Sequence, residues 1–264
     1  MRIRATATVA ASLGALALTA LAAPAAQATG STGPAVTFSA VKVNGGRSIV
    51  VGASAKVSAP VTYTVTKPAG LSSSSFQTGP VLYRGASITS PSDLFISDDP
   101  GTCTAASSTV LHCKATIVLD SAHGDLINDE AGAWKVGALA VDSANHATWK
   151  GDLGSAAIQR LSKLTADATP EPVRKGATIT VTGKLTRANW DTNKYAGYAS
   201  QPVKLQFRKK GSSTYTTVKT IKTSSTGTLK TTVKATADGY FRYTFAGTTT
   251  TPAVSATGDF IDVR

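Results

Sequence analysis

Four stretches in the C-terminal half of the chain alternate apolar and polar residues with a period of two, and nothing else in the sequence limits the fold as tightly. In GATITVTGKLT (176–186), Ile179, Val181 and Leu185 share one face; in PVKLQFRKKG, Val203, Leu205 and Phe207 do. Leu229, Val233 and Ala235 repeat the pattern in GTLKTTVKA, as do Phe241, Tyr243 and Phe245 in GYFRYTFAG. Successive side chains on a strand point to opposite faces, so these are half-buried antiparallel strands that line one core. The N-terminal half shows short strand-like runs with turns at regular intervals, among them VTFSAVKV, SIVVGASAKV, TVLHCKATIVLD and WKVGALAVDSANHATWKG. Trp134 and Val136, two residues apart, point into its core. The fold class expected is all-β, two tandem Ig-like β-sandwich domains.

The ends set the compartment. Arg2 and Arg4 precede VAASLGALALTALAA (9–23), an apolar run short for a bilayer span, and Ala26-Gln27-Ala28 offers small side chains where a signal peptidase reads. The expected organisation is a cleaved signal peptide at 1–28, a disordered Gly/Ser/Thr/Pro tail at 29–35, an Ig-like domain at 36–157 and a basic sandwich at 158–264. The product is secreted, extracellular or cell-wall associated, with no membrane span. Cys103 and Cys113 then lie in an oxidising compartment and are expected to form a disulfide that closes a short loop. In the second domain Val218 and Ile221 stand three apart, which predicts a bulge or an edge strand. Tyr240, after the Asp238-Gly239 turn, is placed as the corner tyrosine of an Ig-like fold.

Residues 164–264 resemble the C-terminal Ig-like module of secreted actinobacterial, Streptomyces-like proteins. TPEPVRKGATITVTGKLTRANW, KYAGYASQPVKLQFRKKG and DGYFRYTFAGT carry the resemblance. MRIRATATVAASLGALAL and VKVNGGRSIVVGA are similar to the N-terminal domain of unknown function with which that module is paired. The resemblance implies a secreted two-module protein. Its members have no established activity, so it implies no functional residues; some carry a calcium-binding label.

Signatures of catalysis are missing: neither G-x-S-x-G nor H-E-x-x-H occurs. His112, His123 and His146 have no metal-ligand spacing. The acidic groups Asp98-Asp99 and Asp120, Asp125, Asp129 and Glu130 lack the tight D-x-D spacing and closing Glu of a calcium loop, and read as solvated turn carboxylates. No enzyme activity, metal or cofactor is expected.

Charge supplies the clearest functional signal. Residues 29–155 hold 8 Lys+Arg against 9 Asp+Glu, whereas residues 156–264 hold 17 against 6. Lys204, Arg208, Lys230, Lys234 and Arg242 fall in the outward phase of the strands, with Lys209 and Lys210 at a strand end, and form the expected polyanion-binding set. The stretch RANWDTNKYAGYASQ (187–201) reads as a long loop whose Trp190, Tyr195 and Tyr198 could contact glycans or else cap the sandwich. The reading is a non-enzymatic, monomeric binding or adhesion-type protein that contacts anionic cell-wall polymers or extracellular glycans. Specific nucleic-acid recognition is not expected, because no recognition helix or basic–aromatic stacking strand is apparent. Two other classes stay open: a ligand-free spacer whose lysines guard sheet edges, and an enzyme inhibitor presenting loop 103–113.

Overall fold

The computed structural model describes residues 2–4, as backbone, and residues 33–264. The rest of the expected signal peptide, and residues 29–32 of the expected tail, lie outside the described residues. In chain order the strands are β1 (Arg2–Arg4), β2 (Thr37–Val43), β3 (Ile49–Val51), β4 (Lys56–Thr66), β5 (Phe76–Arg84), β6 (Asp93–Ile96) and β7 (Thr102–Ala105). Then come β8 (Val110–Asp120), β9 (Gly132–Asp142), β10 (Ala147–Lys150), β11 (Ser155–Arg160), β12 (Ser162–Leu164), β13 (Asp167–Thr169) and β14 (Thr178–Asn189). The last are β15 (Lys194–Gly197), β16 (Pro202–Lys209), β17 (Thr216–Lys222), β18 (Thr228–Lys234), β19 (Gly239–Phe245), β20 (Val254–Ser255) and β21 (Asp259–Ile261).

Two compact units result. The first comprises the described residues up to Ser48, Ser58–Val118 and Ala133–Ala156; the second comprises Ile49–Val57, Leu119–Gly132 and Ala157–Arg264. Residues 49–57 and 119–132 therefore group with the C-terminal unit, although the sequence places them in the N-terminal domain. The reason is pairing: β3 runs parallel to β11 in the register Ile49↔Ile158, and the Ser121 hydroxyl donates to the Gly52 carbonyl at 3.0 Å.

The first unit has one sheet in the order β2-β4-β8-β7 and another in which β5 lies between β6 and β9, with β10 on β9. In Ig terms these are the A-B-E-D and C′-C-F-G orders. The backbone of β1 pairs antiparallel with β6. Trp134 and Val136 are buried as expected, and Trp134 packs on Phe95 at 5.0 Å between ring centres. Pro80 lies inside β5 opposite the end of β6, where the Ser97 N–H donates to its carbonyl at 3.2 Å. Residues 33–35, expected to be disordered, are held: Val36 N–H and the Thr148 hydroxyl both donate to the Pro34 carbonyl at 2.8 Å. Cys103 and Cys113 stand directly opposite each other in β7 and β8 and are joined, with an S–S distance of 2.01 Å. The tip of this hairpin is fastened by the buried Lys67, whose ammonium donates to the Ser108 and Leu71 carbonyls at 2.6 and 2.7 Å.

In the second unit β14 is the spine of one sheet. Its N-terminal part lies between β13 and β18, and its C-terminal part between β12 and β15. The facing sheet runs β17-β16-β19, followed by β20 and β21, which both pair with β19. This is again an A-B-E sheet against a C′-C-F-G sheet. Between them Ile179, Val181, Leu185, Val203, Leu205, Leu229, Phe241, Tyr243 and Phe245 form the core that the alternation predicts. The Val218/Ile221 irregularity resolves both ways at once: β17 is an edge strand, and its register with β16 shifts between Leu205 and Gln206. Lys219, brought into the inward phase, donates to the Thr231 hydroxyl at 3.2 Å.

Two further expectations are corrected. The stretch 187–201 is not a long loop but mostly a hairpin, β14 and β15, with its turn at residues 190–193. The Asn189 side-chain oxygen accepts the N–H groups of Asp191 and Thr192 and makes that turn. Tyr240 is not a corner tyrosine: it stands on the outer face, and the buried role falls to Tyr243, whose hydroxyl donates to the Val181 carbonyl across the sandwich at 2.9 Å. Burial pushes the Tyr243 phenol up to about 12.

Tyr243→Phe should lower the unfolding free energy of this unit by about 1 kcal/mol, the usual worth of one buried hydrogen bond. Leu205→Ala should lower it by about 2–5 kcal/mol through the cavity it leaves. Replacing both cysteines by alanine should cost the first unit about 2–3 kcal/mol. Denaturant titrations of the variants read all three.

Candidate functional site

Period two forces alternate residues outward wherever the others build a core, so the second unit presents two outer faces. The expected cations are divided between them. On the β17-β16-β19 sheet Lys204 and Arg208 of β16 and Arg242 of β19 face outward, with Lys209 at the end of β16 and Lys210 just beyond it. Lys230 and Lys234 belong to β18 and stand on the outer face of the other sheet, opposite Thr182 and Thr178. The seven residues thus do not form one surface; five gather on one sheet and two on its opposite.

The five-residue side contains a feature the sequence reading missed. Arg208 stands over the Tyr240 ring at 4.1 Å and beside the Tyr215 ring at 5.3 Å. Arg242 lies over Tyr215 at 3.7 Å, and Lys210 over Phe260 at 5.5 Å. Phe260 packs on Tyr240 with ring centres 5.1 Å apart. The strands dictate these neighbours, because Arg208 pairs with Tyr240, Gln206 with Arg242, and Tyr240 with Phe260 across adjacent ladders. Side-chain bonds fix the cations further: Arg242 Nε donates to Gln206 Oε1 at 2.9 Å, and Arg208 Nη1 to the Ser212 carbonyl at 2.6 Å. A basic–aromatic face therefore exists where none was expected. The signal was available, since Tyr240 occupies the polar phase of GYFRYTF, where an aromatic ring has no core to fill.

Lys210 is also held from its own turn. The Asp238 carboxylate accepts the Val263 N–H at 2.9 Å and faces the Lys210 ammonium at 3.4 Å. The Val263 N–H first, and Lys210 next, hold this carboxyl below its ordinary 3.8.

The expected glycan-contacting trio is engaged by the protein's own groups. Trp190 is 2% exposed, its indole N–H donating to the Gly52 carbonyl at 3.0 Å and its backbone N–H to Asn128 Oδ1 at 3.0 Å. It is an end cap and cannot stack on a sugar. Tyr195 carries the Lys163 ammonium at 3.8 Å, and Tyr198 lies against Arg187 at 3.9 Å and edge-on to Phe245.

The turn carboxylates cap backbone. Asp125 Oδ2 accepts the Asp120 N–H, Asp120 Oδ1 accepts the Ala122 N–H, and the buried Glu130 accepts the Ile127 N–H. His123 pairs with Asp120 at 2.9 Å and His146 with Asp142 at 3.0 Å, each inside one turn. Among the described residues no three His, Cys, Asp or Glu side chains gather as a metal-ligand set. No helix among them is long and apolar enough to cross a membrane.

No protein-family model matches the chain, and no curated protein matches it by sequence. Solved structures that it resembles include dimeric latent PorU from Porphyromonas gingivalis, at 12% identity over 86% of this chain and 20% of that one, with a TM-score of 0.28. The D00-D0 domain of intimin is matched at 15% identity over 85% of this chain and 99% of that one, TM-score 0.28. The Yersinia pseudotuberculosis adhesin InvE is matched at 12% identity over 85% and 56%, TM-score 0.25. The chain spans about a fifth of the length of PorU. All three TM-scores are low, and the fold assignment rests on strand order and register.

A depressed carboxylate stabilises the fold above its unfolded pKa and loses that effect as pH falls through its folded value. The melting temperature of Asp238→Asn should therefore lie below that of the unaltered protein near pH 7, and the gap should close below about pH 4. A gap that is constant with pH would remove the charge from this account.

Proposed function

We propose that the protein is a secreted, non-enzymatic binding module that holds anionic polymers of the cell envelope through its basic C-terminal unit. One observation carries the reading: five cations gather on one rigid sheet, in a half of the chain with 17 Lys+Arg against 6 Asp+Glu. Cations on a sheet keep their spacing, so a polyanion meets them without ordering a loop first. The Cys103–Cys113 bond fits an oxidising compartment and supports an extracellular setting.

Electrostatic attachment of this kind weakens with salt, because bound counterions are released from the polymer on binding. Purified protein mixed with Gram-positive cell walls should sediment with them at low salt and stay in solution at high salt. Binding that survives high salt would put the affinity elsewhere than in the charges. No binding at any salt would leave the protein as a spacer or as an inhibitor presenting the β7–β8 hairpin.

A further inference from the structure

The outer face of β16, β17 and β19 is more than a field of positive charge. Its two arginines are stacked on rings: Arg242 on Tyr215, and Arg208 between Tyr215 and Tyr240. A guanidinium over an aromatic ring still presents N–H groups, and their fork matches two oxygens of one oxyanion. Each arginine has one such group tied down, by Gln206 or by the Ser212 carbonyl, which sets the direction of the rest. Arg208 and Arg242 are diagonal cross-strand neighbours, a relation that puts side chains about 7–8 Å apart. Lys210 on Phe260 adds a third cation at the end of the row.

The same stacking bears on which ligand the face favours. Tyr215 has an arginine on it and a second beside it, and Tyr240 has Arg208 and Phe260 against it. A single-stranded nucleic acid needs open ring faces for its bases, and a neutral sugar needs one for its apolar side. Here Arg242 covers one face of Tyr215, Arg208 covers one face of Tyr240, and Phe260 packs against Tyr240, which leaves less open ring for either. We propose that Arg208 and Arg242, stacked on Tyr215 and Tyr240, form a site for consecutive phosphodiesters of a polyol-phosphate wall polymer. The proposal rests on the polyanion reading above and gives it a place and a ligand chemistry.

The test is binding of poly(glycerol phosphate) by the purified full chain and by three variants, with melting temperatures as the check on folding. In Arg208→Lys/Arg242→Lys the charge is kept while the fork and much of the stacking are lost, and affinity should fall at least tenfold. In Tyr215→Leu/Tyr240→Leu every cation remains and the stacks are gone; a loss of threefold or more is expected. Lys230→Gln/Lys234→Gln, on the opposite sheet, should change affinity less than twofold. Lysine variants that bind as well as the unaltered protein would overturn the stacked-arginine site yet leave polyanion binding standing, and so would a loss confined to Lys230 and Lys234. Tighter binding of poly-dT than of poly(glycerol phosphate) would overturn the choice of ligand. No binding of either polymer would overturn the site, and wall sedimentation would then decide the wider reading separately.

Discussion

The second unit depends on the meeting of two apolar inner faces along β14, and the rest of its surface follows from that packing. Once Ile179, Val181 and Leu185 face Val203, Leu205, Phe241 and Tyr243, every intervening residue is sent outward. A shift of one residue in any of these strands would exchange core for solvent. The Tyr243 hydroxyl on the Val181 carbonyl ties the two sheets at the centre and satisfies a polar group that would otherwise be costly to bury. Arg208, Tyr240 and Arg242 stand together outside because Phe207, Phe241 and Tyr243 are used inside.

Charge alone would make this face an attractor of anything negative. Here, in addition, long, flexible side chains are held by rings and by hydrogen bonds. A stack at an exposed site contributes about 0.5–1 kcal/mol, enough to bias a side chain toward one arrangement without immobilising it. Arg208 and Arg242 have such restraint, whereas Lys230 and Lys234 on the other sheet have threonines as cross-strand neighbours.

Elsewhere polar groups are spent on holding turns. Asp120, Asp125, Asp142 and Glu130 accept backbone N–H groups, and Lys67 gathers carbonyls from two loops. Between residues 120 and 130, Asp120, Asp125 and Glu130 all serve this capping. Carboxylates satisfied by their own backbone are poorly disposed to surround a cation.

Local pattern was enough for the fold class, the strands of the second unit, the buried positions of Trp134 and Val136, and the disulfide. Each of these follows from period two or from a pair of cysteines in an oxidising setting, and neither needs knowledge of distant neighbours. Three matters were left to tertiary structure. Residues 49–57 joined the C-terminal unit because β3 found its partner in β11, a choice made by pairing across more than a hundred residues of chain, and residues 119–132 are tied there through Ser121 on Gly52 and Asn128 on Trp190. Trp190 went inward because the Gly52 carbonyl accepts its indole N–H, so an aromatic in a turn became an end cap and not a sugar platform. The expected cations parted onto two sheets because phase decides only that a side chain leaves the core, while strand order decides which face it leaves from. The aromatic partners of Arg208, Arg242 and Lys210 likewise come from three different strands or their flanks, and only the ladders of β16, β17, β19 and β21 bring them side by side.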